Sequence, residues 1–313
     1  MVKIYNTDMK TEKLEEVKEI KKGVWINLTN PSEAEIKKVC SQINIEEDFI
    51  KYPLDIEEQA RIDIEDNQTL FIIDVPIIED IKDDKTYTTM PLGVLIVGDD
   101  YVVTVSLRRN KVIDAFEKNK IKSFYTYKKT RFLLQILYLN SACYLENLKK
   151  INKEQEATVA LLQESMENKD LMQLLNLQNS LIYITTSLRS NELVMEKTLR
   201  GKILKMYEED EDILEDAIIE NRQAIEMSKT YSDILTSTMD AYSSIISNNL
   251  NGVMKVLTSL TILISVPTLI ASIWGMNVEL PFEANSYGFV ILLGVSVMIA
   301  IATFIWLRRK DMI

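Results

Sequence analysis

Val256-Leu257-Thr258-Ser259-Leu260-Thr261-Ile262-Leu263-Ile264-Ser265-Val266-Pro267-Thr268-Leu269-Ile270-Ala271-Ser272-Ile273-Trp274 carries no charge from end to end. About 20 residues of helix cross a hydrocarbon core of roughly 30 Å, so this stretch is long enough to span a membrane. A second uncharged run of similar length follows from Tyr287 to Leu307. The loop between them, Gly275 to Ser286, holds Glu279 and Glu283 but no Lys or Arg, and Arg308-Arg309-Lys310 closes the second run. The positive-inside rule puts that basic triplet in the cytoplasm and the acidic loop outside. Two spans return the chain to the side it left. The reading is therefore a multi-pass protein of the cytoplasmic membrane, with both termini cytoplasmic and the lipid bilayer as a partner.

The first run is not uniformly apolar. Asn251, Met254, Thr258, Thr261, Ser265, Thr268 and Ser272 recur at alternating steps of three and four. Such steps put them on one face of a helix, along a heptad seam. Asp240, about three turns before Asn251, continues the same line upstream. Two readings stay open for the seam. Ser and Thr can hydrogen-bond across a packed helix interface. Alternatively the stripe lines a water-filled path, which two helices per chain cannot enclose and which therefore needs a ring of protomers. Hydroxyl and amide oxygens suit a hydrated cation because they bind without trapping it.

Upstream of the membrane, breakers are scarce. Gly201 is the one glycine between Gly98 and Gly252, and no proline lies between Pro91 and Pro267. Leucines at helical spacing (Leu133, Leu134, Leu137, Leu145, Leu148, then Leu171, Leu174, Leu175, Leu181) predict helices over about 131–166 and 169–200. A third begins near Glu209 and continues without a breaker into the first span, for about 100 Å at 1.5 Å per residue. The chain up to Asn110 reads differently. Trp25-Ile26-Asn27-Leu28, Thr69 to Val75, Leu92 to Ile96 and Tyr101 to Leu107 predict strands, the last two forming a hairpin. A helix starts after Pro31, with Asn30 or Ser32 as its cap.

The fold class is thus an α/β cytoplasmic domain with a long stalk helix and two C-terminal transmembrane helices. Its predicted parts are an α/β domain over 1–125, a helical hairpin over 126–208, and the long helix over 209–275 with the first span at about 253–275. An external loop over 276–286, a second span over 287–307 and a basic cytoplasmic tail over 308–313 follow.

Composition narrows the chemistry. The 313 residues carry a formal net charge of -11, and the first 250 hold 44 acidic against 32 basic groups. An acidic body disfavours nucleic acid, whose phosphates need Lys and Arg, and is compatible with a cation as ligand. Histidine is absent, which removes imidazole bases, Ser-His-Asp systems and His-containing zinc sites. Cys40 and Cys143 stand alone, so no CxxC pair is available, and two unpaired thiols suit a reducing compartment. The N-terminus has no apolar run that reads as a signal peptide. No Walker or dinucleotide glycine pattern occurs, so no nucleotide is expected. The chain reads as no enzyme.

At the outer end of the first span stands Gly275-Met276-Asn277. With Asn251 to Thr258 before the span, Pro267-Thr268-Leu269-Ile270-Ala271 within it, Trp25 to Pro31 and Pro53 to Arg61, this resembles the CorA magnesium transporters over nearly the whole chain. The resemblance implies a homopentameric funnel that carries hydrated magnesium down its electrochemical gradient. Gly275, Met276 and Asn277 would form the selectivity filter, and Asp240 with the seam residues and Leu257 would line the pore. Met254 and Leu257 are the candidates for a dry constriction, because Ser265 occupies a position often apolar in relatives. Trp274 stands where many members carry Tyr. Glu279 and Glu283 would attract cations to the mouth. Asp216, within an acidic run that starts at Glu208, resembles the family's aspartate that binds regulatory magnesium between protomers. Its partner would come from Asp80, Asp83 or Asp84. Zinc, cobalt or nickel is the rival cargo, and a membrane-anchored sensor the rival class.

Overall fold

The structure, a computed structural model, describes residues 1–8, 13–81, 84–165, 168–201, 203–277 and 287–310. Its contacts divide the chain into two compact units, Met1–Thr236 and Ser237–Ile313.

The first unit is built on a seven-stranded sheet. Strands β1 (Val2–Thr7), β2 (Leu14–Val17), β3 (Trp25–Thr29), β4 (Arg61–Glu65), β5 (Gln68–Ile81), β6 (Asp84–Val97) and β7 (Tyr101–Ser106) lie in the order β2-β1-β3-β7-β6-β5-β4. Among the described residues only β3 and β7 pair in parallel, with Trp25 opposite Val102 and Thr29 opposite Ser106. Successive strand side chains point to opposite faces, so this sheet feeds two cores. Trp25, Phe71, Ile73, Val94 and Val102 point into one; Ile26, Leu28, Leu70, Ile72, Leu95 and Val103 point into the other. Helices α1 (Glu33–Ile43) and α2 (Glu47–Lys51) cover the second face. Ser32 caps α1 by accepting from the Glu35 amide while the Glu35 carboxylate accepts from the Ser32 amide, a reciprocal capping box.

The first face carries α3 (Lys111–Glu117), α4 (Lys129–Ser165) and α5 (Asn168–Gly201). Fully buried Trp25 stacks on Tyr5 and meets Phe116, Phe124 and Phe132 edge-on, and its indole Nε1 donates to Thr104 Oγ1 at 2.8 Å. The last helix of this unit is the beginning of α6 (Glu208–Trp274), whose Leu214, Ala217 and Ile218 join the same core. Sheet and helical hairpin therefore share one core across residue 125, the expected boundary between them.

Asp74 lies where α4 and α5 cross the sheet. Its carbonyl accepts from Asn140 Nδ2, Asn191 Nδ2 and Tyr144 Oη, and its amide donates to Asn191 Oδ1. Its carboxyl is hydrogen-bonded to Ser187, and burial pushes it up to about 6.

The second unit holds the C-terminal part of α6 and helix α7 (Gly288–Arg309). Both helices contain windows long and apolar enough to cross a membrane, and only 6% of each window is covered. A soluble core helix of this composition would be mostly buried. Pro267 sits inside α6, so the Leu263 carbonyl lacks its usual amide partner.

Candidate functional site

The polar seam of α6 can be placed against what covers that helix. Asn251, Met254, Thr258, Thr261, Ser265, Thr268 and Ser272 are all exposed. The residues shielded among the described ones are Ser259, Ile262, Leu263, Val266, Pro267, Ile270 and Trp274, with Ser259 fully buried. At about 100° per residue the centre of the shielded face lies about 150° from the centre of the seam. On α7 the shielded residues also form one line: Gly288, Leu292, Ser296, Ala300, Thr303 and Leu307. The α7 line is mostly small, with Gly288, Ser296, Ala300 and Thr303, a composition that lets membrane helices approach closely. Packing within the chain thus uses one face of α6 and leaves the seam on the other. Within the chain, therefore, α6 does not pack through its Ser/Thr seam.

Hydroxyl chemistry on the seam is directional. Thr261 Oγ1 donates to the Leu257 carbonyl and Thr268 Oγ1 to the Ile264 carbonyl, each at 2.8 Å. With their protons engaged, these oxygens offer only lone pairs to the outside. Two such outward acceptors suit a partner that brings its own donors, as the water shell of a cation does.

The other predicted residues fall in different places. Asp240 is exposed on α6, within about 20° of the line through Asn251. Leu257 is exposed and flanks the seam. Gly275, Met276 and Asn277 follow the last turn of α6 and are exposed; the Gly275 amide donates to the Ala271 carbonyl and that of Met276 to Ile273. Glu279, Glu283 and Asp83 lie outside the described residues. Asp80 and Asp84, expected in a loop, stand instead on the paired ends of β5 and β6, where Asp80 is opposite Lys85 and Asp84 opposite Ile81; their side chains lie outside the described ones. Asp216 is exposed on α6. Among the described residues no three His, Cys, Asp or Glu converge to hold a metal. Asp216 therefore has no ready-made site with the other described acids of its own chain.

Part of the acidic run is structural. Asp210 is buried and accepts from the Tyr207 amide at the start of α6, while Glu209 pairs with Arg131 at 3.1 Å. Further along, Arg222 bridges Glu192 and Glu196 of α5 at 2.6 Å each. Neither clamp was foreseen, because both join positions far apart in sequence.

An α/β unit whose last helix continues into a pair of exposed apolar spans, one with an uncovered polar seam, defines an integral membrane protein of the transport class. The family model described as "CorA-like Mg2+ transporter protein" matches residues 21–309. The chain belongs to that family, whose members are transporters and not enzymes. It is 28% identical to the cobalt/magnesium transport protein CorA of Methanocaldococcus jannaschii over 298 residues, 92% of this chain and 90% of that protein. A magnesium transport protein CorA of Campylobacter jejuni is 24% identical over the same share of each chain. Among solved structures, the complete CorA magnesium transporter from M. jannaschii superposes with a TM-score of 0.86 at 25% identity, covering 100% of this chain and 99% of that one.

Proposed function

We propose that the chain carries hydrated magnesium across the cytoplasmic membrane as a homopentamer, with the α6 seams of five protomers facing a common axis. The observation that carries this reading is the uncovered polar seam about 150° from the face α6 uses for packing within its own chain. A polar stripe would be wasted against lipid and becomes useful against water or a hydrated ion.

Magnesium gives up its inner water reluctantly, so a ring of Asn277 amide oxygens recognises the shell instead of stripping it. Carboxylates in the same place would hold a divalent ion too long for flux. The family description names magnesium, and relatives are named for cobalt as well as magnesium. Softer metals prefer His or Cys, which the seam does not offer. No nucleotide is needed: a divalent ion crossing about 100 mV gains about 4.6 kcal/mol. Both termini are cytoplasmic in this reading, with Glu279 and Glu283 drawing cations to the outer mouth and Asp240 collecting them at the inner end.

Internal magnesium closes the path by binding between Asp216 of one protomer and acids of the next, with Asp80, Asp83 and Asp84 on the β5–β6 hairpin as candidate partners. With the ion bound, facing carboxylates are screened and the ring is held closed at Met254 and Leu257. Without it they repel and the constriction widens. Asp216→Ala should leave flux less sensitive to magnesium on the cytoplasmic side, and unchanged inhibition would remove Asp216 from the sensor. The transport reading itself is tested by ion uptake into liposomes carrying the purified chain. Magnesium should enter, driven by an inside-negative potential, and exceed nickel and zinc. Uptake no faster than in empty liposomes overturns the reading.

A further inference from the structure

The inner ends of the two apolar helices carry the other chemistry of the second unit. Lys255, Arg308, Arg309 and Lys310 are all exposed, and none enters an ion pair among the described residues. The contrast with the first unit is sharp. There Arg61, Arg108, Arg109, Arg131, Arg200 and Arg222, all but one of its arginines, each hold a carboxylate. Guanidinium groups in this protein are ordinarily paired, so two adjacent unpaired ones call for an anion from outside the described chain.

Helix geometry sets their depth. Trp274 and Gly288 flank the connection 275–287 and begin the two spans on one side. At a rise of about 1.5 Å per residue, the path from Trp274 back to Lys255 is about 29 Å and that from Gly288 on to Arg308 about 30 Å. All four cations therefore reach one level, the far edge of a hydrocarbon core roughly 30 Å thick. Apart from Asp311, which follows Lys310 in the sequence, the anions available at that edge are lipid phosphates. Trp306, 56% exposed and just before Arg308, supplies the interfacial aromatic that anchors a helix at headgroup depth. No Asp or Glu occurs among the described residues from 241 to 310 to compete for the cations.

We propose that Lys255, Arg308, Arg309 and Lys310, with Trp306 beside them, form a binding surface for the headgroups of anionic phospholipids in the leaflet at the Lys255 end of the first span. The inference goes beyond orientation by the positive-inside rule. It requires the assembled protein to select anionic over zwitterionic lipid, and it rests on the two helices being membrane spans.

The test uses the full chain with Trp274→Phe, which leaves Trp25, enclosed in the first unit, and Trp306 as the tryptophans. It is reconstituted into vesicles of phosphatidylglycerol or phosphatidylcholine, mixed with the same lipid brominated high in the acyl chain. Quenching of Trp306 in mixed vesicles should report a preference for phosphatidylglycerol of about fivefold or more, weakened by salt and untouched by millimolar inorganic phosphate. Lys255→Gln, which leaves the orienting C-terminal triplet intact, should cut that preference severalfold. Arg308→Lys with Arg309→Lys should keep it. Equal quenching by the two lipids, an undiminished preference in Lys255→Gln, or competition by free phosphate each overturns the assignment. Magnesium flux is not part of the readout, so failure here leaves the transport reading standing.

Discussion

Asn277, proposed here for the ion path, and Asp74, part of the scaffold, sit in opposite surroundings. Asn277 is exposed just beyond the last turn of α6, where its amide contributes nothing to the core. Asn277→Ala should therefore abolish magnesium uptake in liposomes while the protein assembles and melts as before; uptake at the normal rate would remove the amide ring from the mechanism. Asp74 is the opposite case. Its carboxyl is held at about 6 by burial, above the ordinary 3.8, so the fold disfavours the charged form. A carboxyl with a raised folded-state value costs nothing below pH 3.8, where both states are protonated, and its penalty grows until pH passes 6. That gap corresponds to about 3 kcal/mol at most. Asp74→Asn keeps a partner for Ser187 and removes the charge, so it should stabilise the protein by about 1–3 kcal/mol near neutral pH. That gain should fade as pH falls towards the ordinary carboxylate range. Thermal unfolding of the full chain in detergent, followed at Trp25 across that range, gives the comparison. A gain independent of pH would mean that the carboxyl is not the source.

At the scale of elements, α6 does two jobs with two parts of one sequence. Leu214, fully buried, ties its first turns to the core under the sheet. Leu214→Ala should cost about 2–5 kcal/mol, read as a lowered unfolding midpoint; a shift within experimental error would detach this turn from the core. The helix was legible because no Gly or Pro falls between Asp210 and Gly252: the reading began near Glu209, and the element runs Glu208–Trp274. Expected helices over 131–166 and 169–200 compare with Lys129–Ser165 and Asn168–Gly201. Strands were less legible. Strand β5 was expected to stop at Val75, before Pro76, yet it continues to Ile81, and β6 begins at Asp84 rather than Leu92. The reason is pairing. Strand β4 accompanies β5 only as far as Ile72 and β7 accompanies β6 only from Leu92, so Pro76 and Pro91 stand where each strand has a free edge. Strand β2, Leu14-Glu15-Glu16-Val17, lies at the sheet edge, where two adjacent acids hide the alternation.

For the whole molecule, the sequence displayed its segregation of charge but not its contacts. A net deficit of Lys and Arg before Asn251 and a charge-free pair of runs after it marked a membrane protein with an acidic body. The seam at steps of three and four was visible too. Which face of α6 the chain covers was not, because that depends on tertiary packing, and the periodicity of α7 is masked by apolar residues on all its sides. The proposed regulatory assignment stayed incomplete for a different reason: an ion held between protomers would leave half its ligands on another chain. The native thiols help in testing the rest. Cys40 and Cys143 are both buried, and burial pushes Cys143 up to about 11, so neither competes with an engineered thiol.

The central claim is that the uncovered seam of α6 faces the ion. Single cysteines at Asn251 and Thr268 on the seam, and at Ser259 and Ile270 on the packed face, can be exposed to a small cationic thiol reagent during magnesium uptake into liposomes. The account predicts rapid modification and loss of flux at 251 and 268, slowed by magnesium, with 259 and 270 unreactive and flux unchanged. Block from 259 or 270, with 251 and 268 untouched, would contradict it.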